Sequence, residues 1–420
     1  MYKLLDIFFP NAMAKQHDVG GVELERPFKV RRLDHLVFYY TDFEKMVRFY
    51  EGILGFRMTD SKDNKNARPA LCPLLPTPFY FMTIGQDQHN MAFVPNTLRS
   101  LFKDHEKTSM NHYAWDLGSY EELRGSLSYL RERGVPVAAI AQRMPGSNYA
   151  VYYADPESNL QHTNWTGEVI GWGKNSKPYA LWESLSWEKG ADGQLDETIP
   201  TDEDQTNEAL LTLEGAGKDT AVHSLEPYRD LLDGIKKEFQ GNRYNVHGSL
   251  LPRPFKMAKL TYVSVRSEDP EALATFYKEQ NGFKESARTK DAIYLRYGAD
   301  HTAFVIHQPD STTTTNGKDR FVRMGMQLRT YAELKAALTF MKDNGVEIVA
   351  KGRAFPGGEY YIDILDPEKH QIRLFFYMEQ IGWDGVARSP DKWKPLDYLP
   401  DKAEVSEDTY NLEALSAYCF

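Results

Sequence analysis

The segment RPFKVRRLDHLVFYYTDFEKMVRFYEGILGF, Arg26 to Phe56, recurs as RPFKMAKLTYVSVRSEDPEALATFYKEQNGF, Arg253 to Phe283, at a constant offset of 227. Downstream, Ala92-Phe93-Val94 meets Ala303-Phe304-Val305 at an offset of 211, which then continues without a gap. Gly134-Val135 meets Gly345-Val346, Asp155-Pro156-Glu157 meets Asp366-Pro367-Glu368, and Ile170-Gly171-Trp172 meets Ile381-Gly382-Trp383. Chance similarity does not hold register over such a length. A chain that carries one apolar pattern twice builds one fold twice.

Each copy also repeats within itself. Leu33 to Tyr40 alternates and is rich in β-formers, so it reads as a strand. Asp42 to Leu54 has apolar residues at helical spacing, with Thr41 or Asp42 as N-cap and Gly55 as the stop. Strand-like runs follow at 78–84 and 90–95. The order then repeats: a strand at 111–117, a helix at 119–133 closed by Gly134, and strands near 135–142, 149–154 and 160–165. The expected fold is α+β, made of duplicated paired β-α-β-β-β modules: four modules in two domains of curved mixed sheet. The expected boundaries are an N-terminal extension over 1–25, a first domain over 26–175, an acidic polar linker over 176–252, a second domain over 253–385 and a C-terminal extension over 386–420. TIPTDEDQTNE in the linker reads as exposed and mobile. PYRDLLDGIKKEF reads as a short helix.

Bulk composition removes several classes of function. The 420 residues are 41% hydrophobic, enough for large cores. A net charge of −10 gives no basic footprint for nucleic acid or an anionic membrane. No apolar run approaches the roughly 18 residues of a membrane span. The opening MYKLLDIFFPNAMAKQ is too short, and too broken by Pro10, for a signal peptide. The only two cysteines, Cys72 and Cys419, point to a reducing, cytoplasmic setting. Aromatic residues, at 13%, are compatible with a pocket for a flat ring.

Chemistry enters where the copies differ. His35, in LDHLVFYY, faces Tyr262 in the alignment, His112, in NHYAWDL, faces Arg323, and His162, in DPESNLQH, faces Arg373. A lone histidine on a strand is more often structural than a ligand. His35 and His112 at equivalent points of two fused modules are another matter, because a local pseudo-twofold brings both first strands to one place. His162, near a strand end, reads on its own equally well as structural or as a ligand.

These residues carry a resemblance. Paired β-α-β-β-β modules with LDHLVFY, NHYAWDL and a DP-x-x-N turn before the last strand resemble the vicinal oxygen chelate superfamily. Within it, the first half resembles the type I extradiol ring-cleavage dioxygenases, where two histidines and a glutamate hold Fe(II). The resemblance implies metal ligation by His35 and His112. The family's glutamate falls, seven residues after the Asp of the turn, on His162, a departure that puts the charge of the site and its metal in question. His89, in QHNMAF, matches the family's acid–base histidine, with Asp300 or His301 as its counterpart in the second copy. Tyr152, ten residues before His162, matches a tyrosine that bonds the substrate oxygen, although VYY is also ordinary strand composition. Arg143 stands where a further family histidine is expected and would bind a substrate oxyanion.

The resemblance implies an Fe(II) cofactor, with Mn(II) or Zn(II) as alternatives, and a small aromatic substrate with O2 as partners. The activity it implies is ring cleavage of a catecholic compound. His162 leaves open a three-histidine metal enzyme on a diketone-like substrate, or a non-redox lyase or isomerase. The altered second copy leaves open a binding protein with a vestigial site. A symmetric homo-oligomer is a common state for such enzymes.

Overall fold

The computed structural model describes residues 16–62, 76–102, 107–144, 147–167, 225–241, 243–310, 319–381 and 385–405. The TIPTDEDQTNE stretch lies outside them. A short hairpin of β1 (His17–Asp18) and β2 (Glu23–Leu24) comes first. The first module is β3 (Val30–Tyr40), α1 (Phe43–Val47), β4 (Arg57–Lys62), β5 (Phe79–Thr83) and β6 (Met91–Pro95). The second is β7 (Met110–Leu117), α2 (Tyr120–Glu132), β8 (Val137–Met144), β9 (Ser147–Ala154) and β10 (Leu160–Gly167). They form one eight-stranded mixed sheet in the order β4-β5-β6-β3-β7-β10-β9-β8. The first strands of the two modules, β3 and β7, are therefore antiparallel neighbours at its centre.

The PYRDLLDGIKKEF stretch contributes α3 (Arg229–Phe239), which buries Leu232, Ile235 and Phe239. A hairpin of β11 (Tyr244–Val246) and β12 (Ser249–Leu251) follows. The second half repeats the plan: β13 (Met257–Arg266), α4 (Pro270–Phe276), β14 (Lys284–Arg288), β15 (Ala292–Arg296), β16 (Phe304–His307), β17 (Phe321–Leu328), α5 (Tyr331–Asp343), β18 (Ile348–Arg353), β19 (Tyr360–Leu365) and β20 (Gln371–Phe376). Its sheet order, β14-β15-β16-β13-β17-β20-β19-β18, is the same. The four-module α+β architecture expected from the repeat is thus the observed one. Pro400 and Glu404, beyond β20, bond Tyr331 and Arg353, so the described part of the C-terminal extension packs on the second half.

Local signals act as the sequence suggests. The Asp42 carboxylate caps α1 by accepting from Lys45 N, and Ser119 caps α2 by accepting from Glu122 N. The first helix is not uniform: Arg48–Leu54 continues α1 in wider π-type turns and ends at Gly55 with φ 86°.

One part of the repeat register is corrected. The matching of Ala92 to Ala303 puts the third-strand offset at 211. In the ladders Leu36 pairs with Met91, whereas its counterpart Val263 pairs with Phe304, which is an offset of 213. The counterpart of His89 is therefore Thr302, not Asp300 or His301. Asp300 instead matches Asp87, and each carboxylate pairs with the base of its central strand: Arg32–Asp87 at 2.8 Å and Lys259–Asp300 at 2.5 Å.

The two halves clasp each other by reciprocal contacts. Tyr50 donates to Asp366 at 3.0 Å, and its counterpart Tyr277 donates to Asp155 at 2.9 Å. Glu368 accepts from the backbone of Thr41 and Asp42 at 2.7 and 2.9 Å. Glu157 does the same for Glu268 and Asp269 at 2.8 and 3.1 Å. Each Asp-Pro-Glu turn thus secures the first helix of the other half.

Candidate metal centre

His35, His112 and His162 lie on β3, β7 and β10, three adjacent strands at the centre of the first sheet. One ring nitrogen from each falls within 4.8 Å of the others. The register puts all three side chains on one face of the sheet, because Val37, two residues from His35, pairs with His112, and His162 pairs with Ala114, two residues from His112. The β3–β7 ladder shifts register between Leu33 and Leu36 and again between Val37 and Phe38, opposite His112 and Met110. Such bulges re-aim side chains, and both His35 and His112 sit at one.

The other ring nitrogen of His35 and of His112 is held by the preceding residue. Asp34 Oδ2 lies 2.7 Å from His35 Nδ1, and Asn111 Oδ1 lies 2.6 Å from His112 Nδ1. Asn111 in turn donates Nδ2 to the Tyr39 hydroxyl at 2.6 Å. Both histidines are therefore Nδ1–H tautomers with an unprotonated Nε2. His162 Nε2 lies 3.1 Å from His35 Nε2, and its Nδ1 is buried without a hydrogen-bond partner.

Electrostatics keep His35 and His162 neutral. Burial, with Arg32 close by, pushes the pKa of His35 down to about 3. Burial and then the neighbouring histidines hold His162 well below its ordinary value. Behind His35, Arg32 binds Asp34, Asp87 and Asp116 at 3.0, 2.8 and 3.0 Å. Burial pushes the Asp34 carboxyl up, and Arg32 opposes the shift. Asn164 also donates toward Asp34.

This donor set fits a divalent transition ion. Three imidazoles converge, two are fixed in the ligating tautomer from behind, and the third faces a lone pair at 3.1 Å. His112 is only half-buried, so the cluster opens on its side. The acceptors Asp34, Asn111 and Gln88 escaped the reading of single histidines. Their signal was present: each immediately precedes a histidine, as DH, NH and QH.

His89 stacks beside His35, ring centroids 4.2 Å apart, with Phe81 at 5.0 Å. Gln88 donates Nε2 to Asp60 at 2.7 Å, so its oxygen faces His89 Nδ1. That places the proton of His89 on Nδ1 and leaves Nε2 unprotonated. Burial, then His35, keeps the ring well below its usual pKa. Tyr152 packs on His162 at 4.4 Å and on His112 at 5.6 Å. Burial raises its phenol pKa above the ordinary value. Arg143 falls on β8, but its side chain is outside the described part of the structure.

The matching positions of the second half form a different site. Arg373 donates Nε and Nη2 to Asp363 at 2.7 and 2.8 Å, and Arg323 adds a bond at 3.2 Å. Tyr262 lies over Gly325, where a Cβ would stand 2.1 Å from its ring. The first half has Ala114 there, beside the smaller His35. What remains is a small, partly open pocket whose lining includes Tyr262, Arg323, Glu359 and Arg373.

The model of the glyoxalase/bleomycin resistance protein/dioxygenase superfamily matches residues 32–161 and 259–374, one stretch in each half. The chain belongs to this vicinal oxygen chelate superfamily. Metapyrocatechase 2 of Cupriavidus necator, a curated relative, is 26% identical over 127 residues, or 30% of this chain. That match spans 33% of the relative's length. Among solved structures, a halotolerant catechol dioxygenase superposes with a TM-score of 0.55 at 11% identity, over 88% of this chain and 94% of its own. A Mn(II)-bound glyoxalase from Novosphingobium aromaticivorans superposes with a TM-score of 0.53 at 11% identity, over 85% of each chain. At such identities what these two structures share with this vicinal oxygen chelate protein is the fold. Among the described residues, no helix is long and apolar enough to cross a membrane.

Proposed function

We propose that the chain is an Fe(II)-dependent extradiol-type dioxygenase that cleaves the ring of a catecholic substrate with O2, and that the first half is its catalytic domain. The observation that carries this reading is the convergence of His35, His112 and His162, with His89 and Tyr152 on either flank. When bound, iron(II) supplies the open coordination positions and the redox chemistry that dioxygen needs to react with a closed-shell aromatic. The protein supplies the rest. His35 and His112 present unprotonated Nε2 atoms because Asp34 and Asn111 hold their protons on Nδ1. His89 is neutral at physiological pH, so its Nε2 can take a proton from a substrate hydroxyl and return it later. The buried Tyr152 phenol stays protonated and donates a hydrogen bond to a substrate oxygen. Two cysteines in 420 residues suit a cytoplasmic enzyme.

A second reading is favoured by one feature: among the described residues, no carboxylate joins the cluster. Three neutral ligands leave the full 2+ charge in the site. That suits a three-histidine enzyme on a diketone-like substrate, or a non-redox lyase or isomerase using Mn(II) or Zn(II). Metal analysis of anaerobically purified protein, followed by oxygen uptake with a panel of catechols, separates the two. Stoichiometric iron, oxygen consumption and a yellow product support ring cleavage. Zinc or manganese without oxygen consumption supports the second reading. No metal after reconstitution sinks both.

A further inference from the structure

The cross-strand row Tyr153–Gln161–Tyr113 runs over β9, β10 and β7, one residue away from the row Tyr152–His162. Adjacent rows of a sheet face opposite sides. The Tyr153 row therefore lies on the back of the strands that carry the ligands, and it is buried and polar. Two residues of the second half close it. Tyr277 accepts from Gln161 Nε2 at 3.2 Å and donates to Asp155 at 2.9 Å. Asn281 donates to the Tyr153 hydroxyl at 2.8 Å and approaches Gln161 Oε1 at 3.3 Å, where Trp115 also donates at 2.8 Å.

The other half is an internal comparison. Its equivalent row is Ile364–Ile372–Met324, in the same register and wholly buried. The residues entering from the first half are Tyr50, which keeps its bond to Asp366, and Leu54, which stands where Asn281 would. The same fold therefore closes this layer with apolar side chains when no histidine row lies in front of it. Replacing a buried polar network with packed apolar groups is often neutral or stabilising. Stability alone does not account for a polar layer confined to one half. Connected buried hydrogen bonds fix one arrangement of the strands they join, and metal ligands need such support from behind.

We propose that Tyr277 and Asn281 are positioning residues for the metal centre: the second half holds β9 and β10 in the register and orientation at which His162 can reach the ion shared with His35 and His112. This rests on the metal-binding part of the proposed function, and not on its dioxygenase part. It also gives the altered second half a role that an isolated first half would lack.

The test is a cobalt(II) titration of the full metal-free chain, read by d–d absorption, with thermal midpoints measured in parallel. Tyr277→Phe and Asn281→Leu should each weaken cobalt binding by about 10-fold or more, the usual effect of losing outer support. Tyr50→Phe removes the symmetry-related hydroxyl. It should lower the midpoint much as Tyr277→Phe does and leave cobalt affinity within about twofold. If Tyr277→Phe does not fold, Asn281→Leu decides, because leucine is what the matching position already holds. Unchanged cobalt affinity in folded Tyr277→Phe and Asn281→Leu would overturn the proposal, as would an equal loss in Tyr50→Phe. A wild-type chain that takes up no ion would overturn it together with the proposed function. Since metal binding is the readout, the outcome is independent of whether the iron form consumes oxygen.

Discussion

The Nε2 atoms of His35 and His162 stand 3.1 Å apart, and Asp34 keeps the proton of His35 on Nδ1. His35 therefore offers a lone pair, and either a proton on His162 or a cation must lie between the rings. His162→Ala should lose divalent-ion affinity by more than the roughly 10–100-fold that outer-support changes cost. His162→Glu should keep the ion, because a carboxylate oxygen is also a ligand. Equilibrium dialysis with metal analysis reads both. Metal retained by the alanine variant and lost by the glutamate variant would remove His162 from the ligand set.

His89 should separate chemistry from metal binding. Its ring is beside His35, but its Nδ1 is tied to the Gln88–Asp60 pair and it is outside the three-histidine cluster. His89→Ala should leave metal content unchanged and lower kcat by about 10²–10⁴-fold, the usual contribution of a positioned acid–base group. A loss of metal that matches the loss of rate would recast His89 as a ligand.

The duplication, the strand and helix order and the three convergent histidines were legible because each rests on a pattern that survives in one dimension. The register of the third strand was not. A slip of two residues preserves the side-chain face, so the apolar alternation around Ala92 fits an offset of 211 or 213 equally well. Only the hydrogen-bonded pairing of Leu36 with Met91 and Val263 with Phe304 decides it. The polar contacts of Tyr277 and Asn281 with Gln161 and Tyr153 were equally hidden, because they join residues more than 100 positions apart through the packing of two halves.

Asp363 tests what replaced the ligands in the second half. It accepts from Arg373 twice, from Arg323 and from Gln371. Asp363→Ala would leave two arginines short of their partner in a mostly buried site. The expected cost is about 3–5 kcal/mol in chemical denaturation. Metal content of the first half should not change. A variant of near wild-type stability would show that Glu359, 3.4 Å from Arg373, already suffices.

His370 gives the fold a pH dependence of its own. It stands at the position of Asn159, and both bond the Asp of their turn: Asn159 Nδ2 to Asp155 at 2.9 Å and His370 Nδ1 to Asp366 at 2.8 Å. Burial opposes the imidazolium, but the Asp366 carboxylate together with Asp319 and Glu368 outweighs it, and the net shift raises the pKa of His370 above 6.5. A raised folded-state value means the folded chain holds this proton more tightly than the unfolded one. The resulting stability is fully present below about pH 6.5 and is lost as pH rises through the folded-state pKa. His370→Asn substitutes the residue the other half uses and carries no titrating group. Urea midpoints measured from pH 6 to 9 should fall for the wild type over that window, and the His370→Asn curve should be flatter. Parallel curves would show that His370 keeps the same charge in both states across the range.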